Sequence, residues 1–138
     1  MPGSRIGDLL AQSRRGLRRV RAEDLADEVA AGAVLVDIRP EANRRTEGAM
    51  PGAVVVELTV LQWRVDPTSP DRLPGFDDPD LRIVVVCNEG YSSSLAAESL
   101  QRLGMPNATD LVGGYRAWAA LTRPLRRAPA RSSSAPAH

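Results

Sequence analysis

A single-domain α/β fold, three layers deep with a mostly parallel central sheet flanked by helices, is predicted by two features of this chain. Short apolar runs alternate with stretches of helical period, and glycine, proline or acidic residues punctuate the joins. The runs show little polar alternation, as expected of strands covered on both faces, which is how parallel sheets are built. At 138 residues the chain is long enough to bury about two thirds of its unfolded surface in one core.

The first helical stretch runs from Ser4 to about Gly16, with Ile6, Leu9 and Leu10 on one side and Asp8 in its first turn. A second covers Glu23 to Ala31 through Leu25, Ala26 and Val29, and Gly32 stops it. Val34 to Ile38, followed by Arg39-Pro40, reads as a buried strand. A weaker helical stretch from Glu41 reaches Gly48, and Met50-Pro51-Gly52 turns the chain into a second strand, Ala53 to Val56. Leu58 to Arg64 reads as a short helix, and Asp66 to Asp80 as a loop heavy in proline and aspartate. Ile83 to Val86 is the third strand. The next helix spans about Ser92 to Leu103, with Ala96, Leu100 and Leu103 on its buried face, and Gly104 ends it. Asp110-Leu111-Val112 is a short fourth strand, Gly113-Gly114 a turn, and the last helix carries Trp118 and Leu121. From Pro124 onward Pro, Ala, Ser and Arg dominate and predict a disordered tail.

Composition narrows the function classes. A single cysteine cannot form an internal disulfide, and one histidine at the extreme end, His138, gives no Cys/His cluster for zinc, so no metal and no cofactor is expected. No stretch approaches a transmembrane length, and Met1 to Arg21 lacks the apolar centre of a signal peptide. A cytoplasmic protein with no membrane partner is the expectation. The formal net charge is +1, and all 18 basic residues are arginine. They gather near the start, at Arg14, Arg15, Arg18, Arg19 and Arg21, and near the finish, at Arg123, Arg126, Arg127 and Arg131. Solvated ends account for them more economically than nucleic-acid binding, which is not expected.

The sole cysteine is the most pointed feature. Cys87 ends the run Ile83-Val84-Val85-Val86 and opens the loop Asn88-Glu89-Gly90-Tyr91-Ser92-Ser93 that leads into a helix. A strand that delivers a thiol to such a turn aims the sulfur at free backbone N–H groups and at the positive end of a helix dipole. Both favour a thiolate. In open α/β sheets ligands sit beyond the carboxyl ends of the strands. Asp37-Ile38-Arg39, the Cys87 loop and Gly113-Gly114 are all expected there, on one surface.

Four segments in order carry a family resemblance: Leu35-Val36-Asp37-Ile38-Arg39, Glu47-Gly48-Ala49-Met50-Pro51-Gly52-Ala53, Val86-Cys87-Asn88-Glu89-Gly90-Tyr91-Ser92-Ser93, and Val112-Gly113-Gly114 with Trp118. Together they resemble a rhodanese domain over about residues 20 to 122, leaving 1–19 as an arginine-rich helical extension and 123–138 as the tail. The resemblance implies a rhodanese-like α/β fold and an active cysteine, Cys87, that carries sulfane sulfur as a persulfide. Asn88, Glu89, Gly90, Tyr91, Ser92 and Ser93 are expected to form the substrate-binding loop, whose N–H groups would cradle the terminal charge of that persulfide. No general base is required of a pre-formed thiolate, which suits a domain without histidine.

Related chemistries fit less well. Phosphatases and arsenate reductases close a Cys-x5-Arg loop around an oxyanion, and the matching position here is Ser93. The loop also carries Glu89 and no arginine. A unit charge about 6 Å from an anion is worth roughly 0.7 kcal/mol in water and about 3 kcal/mol at an effective dielectric of 20. Thiosulfate is thereby less favoured than a persulfide-bearing protein or a neutral donor, unless Arg39, Arg44, Arg45 or Arg64 reaches the pocket. Asp37 either orients the loop or pairs locally with Arg39. Tyr91 either walls the pocket or packs on the sheet. Ser92 and Ser93 are expected to cap the following helix, Gly90 to supply a backbone angle other residues resist, and Trp63 and Trp118 to pack in the core or at its rim. The expected function is sulfur transfer through Cys87 to a nucleophilic acceptor. The alternative is a non-catalytic module of the same fold that docks a partner through its N-terminal extension.

Overall fold

The computed structural model describes residues 3–122. The expected disordered tail, with its four arginines and His138, lies outside the described residues. Six α-helices and four strands follow one another: α1 (Arg5–Arg14), α2 (Leu25–Ala30), β1 (Val34–Asp37), α3 (Glu41–Glu47), β2 (Val54–Val55), α4 (Leu61–Val65), β3 (Ile83–Val86), α5 (Ser92–Arg102), β4 (Thr109–Asp110) and α6 (Gly114–Thr122). Short 3₁₀ turns at Ala22–Asp24 and Leu58–Val60 lead into α2 and α4. No helix among the described residues is long and apolar enough to cross a membrane.

The sheet runs β2-β1-β3-β4 with every pairing parallel. Val34 to Asp37 pair with Ile83 to Val86 in register, so the two buried central strands end level. Beyond β4, Val20 forms a further parallel bridge with Leu111. Because side chains alternate across a strand, β3 splits its residues between two cores. Ile83, Val85 and Cys87 join Val36, Leu61, Val65, Ala97 and Leu100 on one side. Val84 and Val86 join Leu35, Leu25, Leu111, Tyr115 and Ala119 on the other. All four β3 residues are fully enclosed, and burying each contributes about 1.5–3 kcal/mol.

Several expectations shift in ways that have a physical cause. In α1 only Leu10 and Ser13 are buried, while Ile6 and Leu9 remain half-exposed, because the helix meets α5 along a narrow stripe. Leu25 alone anchors α2, with Ala26 and Val29 facing out. On α5 the enclosed face is Ser93, Ser94, Ala96, Ala97 and Leu100, and Leu103 lies just past the helix, exposed. The fourth strand begins at Thr109 and stops at Asp110. Leu111 instead bridges to Val20, and Val112 is exposed. Thr109, fully buried but polar, is passed over by a search for apolar runs, which extends the strand into Leu111 and Val112 instead. Trp63 packs in neither core and is largely exposed, whereas Trp118 packs partly on the second core beside Tyr115.

Candidate active site

Cys87 follows the last residue of β3 and is almost enclosed. Its Sγ receives the Gly90 N–H at 3.1 Å and the Ser93 N–H at 3.4 Å. The second donor belongs to the first turn of α5, so the sulfur sits where helix N–H groups lack intrahelical partners. The strand-end arrangement expected from sequence is therefore realised, with backbone donors turned on the thiol.

A loop keeps its N–H groups inward only if its carbonyls are satisfied elsewhere. The start of α6 does this for two of them: Tyr115 N–H donates to the Cys87 carbonyl at 2.8 Å and Arg116 N–H to that of Asn88 at 3.1 Å. Such proximity demands glycine. Gly114 has φ +65°, and a Cβ there would stand 2.5 Å from the Cys87 oxygen. Gly90, at φ +90°, would press a Cβ to 2.7 Å from Gly113 N. Gly114 and Gly90 are thus required by the close approach of two backbones, while a Cβ on Gly113, at φ +75°, would meet Ala117 Cβ at 2.6 Å.

Asp110, fully buried at the end of β4, ties the far side of the loop. It accepts from Ser93 Oγ at 2.7 Å, Ser94 Oγ at 2.8 Å and, through both oxygens, from Arg19 at 2.8 and 3.1 Å. Ser93 therefore spends its hydroxyl on Asp110 rather than on capping α5, and neither it nor Ser92 makes a side-chain cap. The third loop carbonyl, Gly90 O, receives Arg14 Nη2 at 2.7 Å and Arg19 Nη2 at 3.1 Å, while Arg14 Nε donates to Ser94 Oγ. These two arginines are not solvated ends. Burial, then the neighbouring Arg19, pushes the Arg14 guanidinium down from its usual value. The sequence alone does not reveal Arg14, Arg19, Ser94 and Asp110 as site residues, since the two arginines reach their partners across more than seventy residues and the serines meet Asp110 from a separate element.

The remaining candidates separate. Asp37 and Arg39 form a fully buried local pair, Nη2 to Oδ2 at 2.8 Å, and Arg39 also donates to the Gly48 carbonyl and stacks 4.0 Å over the Tyr115 ring. Asp37 does not touch the loop directly. Asn88 Nδ2 donates to Glu47 Oε2 at 3.0 Å. Arg116 grips both Glu47 oxygens at 3.0 Å and pairs with Glu89 as well. Hydrogen bonds from Arg116 first and Asn88 second hold the Glu47 carboxyl at about 2, below its ordinary 4.5, and Glu47 in turn raises Arg116. Glu89 is half-exposed on this ion network, away from the cleft wall, so its charge is offset by Arg116 rather than directed at a donor. Tyr91 is 51% exposed and neither packs on the sheet nor lines the cleft.

A cleft of about 520 Å³ opens at Cys87, with Asn88 and Ser92 beside the sulfur. Arg44, Glu41 and Glu57 bring charge to its wall, Ile38, Pro40 and Leu58 supply apolar surface, and Arg39 lines it with its guanidinium enclosed on Asp37. Arg44 reaches it while donating to the Arg39 carbonyl. Arg64 does not: it donates to the Asp71 carbonyl outside the cleft, and Arg45 is exposed on α3.

A family model described as Rhodanese-like domain matches residues 21–121. Among curated proteins, the chain is 35% identical over 85 residues to the adenylyltransferase and sulfurtransferase UBA4 of Candida albicans, covering 62% of this chain and 19% of that protein. It is 30% identical over 98 residues to the adenylyltransferase and sulfurtransferase MOCS3 of Arabidopsis thaliana, covering 66% and 21%. The chain thus spans about a fifth of the length of these relatives. A solved structure from Rhodopseudomonas palustris, a protein of unknown function described as a possible tyrosine phosphatase, superposes with a TM-score of 0.77 at 27% identity, covering 88% of this chain and 93% of that one.

Proposed function

Since this chain belongs to the rhodanese-like domain family, we propose that it is a sulfurtransferase that carries sulfane sulfur as a persulfide on Cys87. The observation that carries this reading is the pair of backbone donors on Sγ, from Gly90 and Ser93, in a loop whose carbonyls are bound from outside. Donors so arranged favour a thiolate and then stabilise the terminal charge of a persulfide. With thiosulfate, the Cys87 thiolate attacks the outer sulfur, the S–S bond breaks, sulfite leaves with its electron pair, and Cys87-S-S⁻ remains. Cyanide or another nucleophile takes the outer sulfur and returns the thiolate. With a persulfide donor R-S-SH the leaving group is the thiolate RS⁻.

Glu41 and Glu57 outnumber Arg44 on the cleft wall, so a small thiol persulfide or a persulfide-bearing protein suits it better than dianionic thiosulfate. A reducing compartment such as the cytoplasm would supply such donors. The curated relatives are themselves sulfurtransferases, which supports the class. Phosphate-ester hydrolysis, suggested by the description of the R. palustris protein, has less support here. The sixth residue after Cys87 is Ser93, bound to Asp110, and the nearby guanidinium groups of Arg14 and Arg19 engage the Gly90 carbonyl. A phosphoryl transition state would lack its fork of donors.

The test is thiocyanate formation from thiosulfate and, separately, from a cysteine-persulfide donor, on wild type and Cys87→Ala. Product formed by wild type and lost in the variant is expected. Silence with both donors while Cys87 still reacts with iodoacetamide would overturn the enzyme reading in favour of a binding module.

A further inference from the structure

From the convergence of two guanidinium groups on one loop carbonyl, we infer that Arg14 and Arg19 are positioning residues of the sulfur-transfer site, so that the helical segment before residue 20 is part of the catalytic apparatus. The inference rests on the reading of Cys87 as the sulfur carrier. Neither arginine falls within the residues matched by the family model.

The argument begins with the peptide plane. In a trans peptide the C=O and the following N–H point in opposite directions, so fixing the Gly90 oxygen outward turns the Tyr91 N–H back toward the interior of the loop. Arg14 Nη2 at 2.7 Å and Arg19 Nη2 at 3.1 Å approach that oxygen together. Each guanidinium has a second hold that sets its direction: Arg14 Nε on Ser94 Oγ, and Arg19 on both oxygens of Asp110. Asp110 and Ser94 belong to the elements that also fix Ser93, whose N–H reaches Cys87 Sγ. One connected set of charge-assisted hydrogen bonds therefore runs from α1 to the backbone donors around the sulfur. Two positive groups at the carbonyl end of the 90–91 peptide also polarise it, which strengthens the donor at its other end. Neither arginine lines the cleft, so neither is expected to bind the sulfur donor.

The experiment compares Arg14→Gln, Arg19→Gln and Arg14→Lys with wild type, and takes Arg15→Gln, on the exposed side next to α1, as the neutral control. Steady-state thiocyanate production should fall ~10- to 100-fold in kcat for the two Gln variants, with KM changed less than about threefold, as for a displaced reacting geometry. Arg14→Lys, which keeps one charged donor for Gly90 O, should recover part of the loss. Amide hydrogen exchange followed by NMR should accelerate at Gly90, Tyr91 and Ser93 while β3 stays protected. Arg19→Gln leaves Asp110 buried and is at risk of unfolding; Arg14, which has no acidic partner, then carries the test alone. Wild-type kcat together with wild-type loop exchange in Arg14→Gln would overturn the inference. Should wild type transfer no sulfur at all while Arg14→Gln still loosens the loop amides, the positioning network stands as geometry and the sulfurtransferase reading is what fails.

Discussion

Glu47 Oε2 accepts the Asn88 side-chain amide at 3.0 Å, one residue beyond Cys87, and the same carboxylate is gripped by Arg116 from α6. This joins the end of α3, the active loop and α6 through one acidic group.

Its pH dependence follows from the depressed titration of Glu47, about 2 when folded against an ordinary 4.5. A carboxyl lowered on folding contributes stability that is complete above its unfolded value and disappears as pH falls through its folded one. The stability difference between wild type and Glu47→Gln should therefore be constant above about pH 5 and shrink between about 4.5 and 2. Urea midpoints of both proteins across that range measure it. A difference independent of pH in that window would refute the assignment.

Replacing Gly114 with alanine should damage both stability and activity. The new Cβ would meet the Cys87 oxygen at 2.5 Å, and φ +65° is a region that L residues rarely adopt. Strain of about 1–3 kcal/mol is expected at such a site, visible as a lower urea midpoint. Activity should fall further than the fraction unfolded explains, because the loop carbonyl has to move. Equal losses in stability and rate would instead point to unfolding alone.

Glu57→Gln should improve the use of thiosulfate. Glu57 and Glu41 outnumber Arg44 on the cleft wall, Arg39 being paired with Asp37, so removing one negative charge should lower KM for a dianion by roughly two- to tenfold. The effect should weaken as salt is raised. A neutral donor should show no such change, and an equal shift for both donors would argue against an electrostatic origin.

Leu100→Ala should cost about 2–5 kcal/mol, since Leu100 is wholly enclosed between α5 and the first core. Chemical denaturation gives the value directly. A loss below about 1 kcal/mol would mean that the core repacks around the missing atoms.

The sheet and the place of Cys87 were readable from the sequence because they depend on local patterns. An unbroken apolar run, a turn and a glycine each announce themselves within a few residues. Gly90 and Gly113-Gly114 were readable as special backbone, although the reason, two loops pressed together, was not. Arg14 at the end of α1 and Arg19 just beyond it look solvent-facing in sequence because an arginine looks the same whether it faces water or a carbonyl 76 or 71 residues away. Asp110 looks in sequence like part of an ordinary strand, although it is a hub for two serines and an arginine. The electrostatic weight given to Glu89 changes for the same reason: its neutralising partner, Arg116, lies in a different helix.

The backbone hold that α6 places on the Cys87 and Asn88 carbonyls has a temporal side. Synthesis proceeds from the N-terminus, so Cys87 enters the chain before Tyr115 and Arg116 do. Until they arrive, two carbonyls of the loop are free to turn toward the sulfur in place of the N–H groups. The inward turn of the Gly90 and Ser93 N–H groups onto Sγ is therefore completed only as α6 docks.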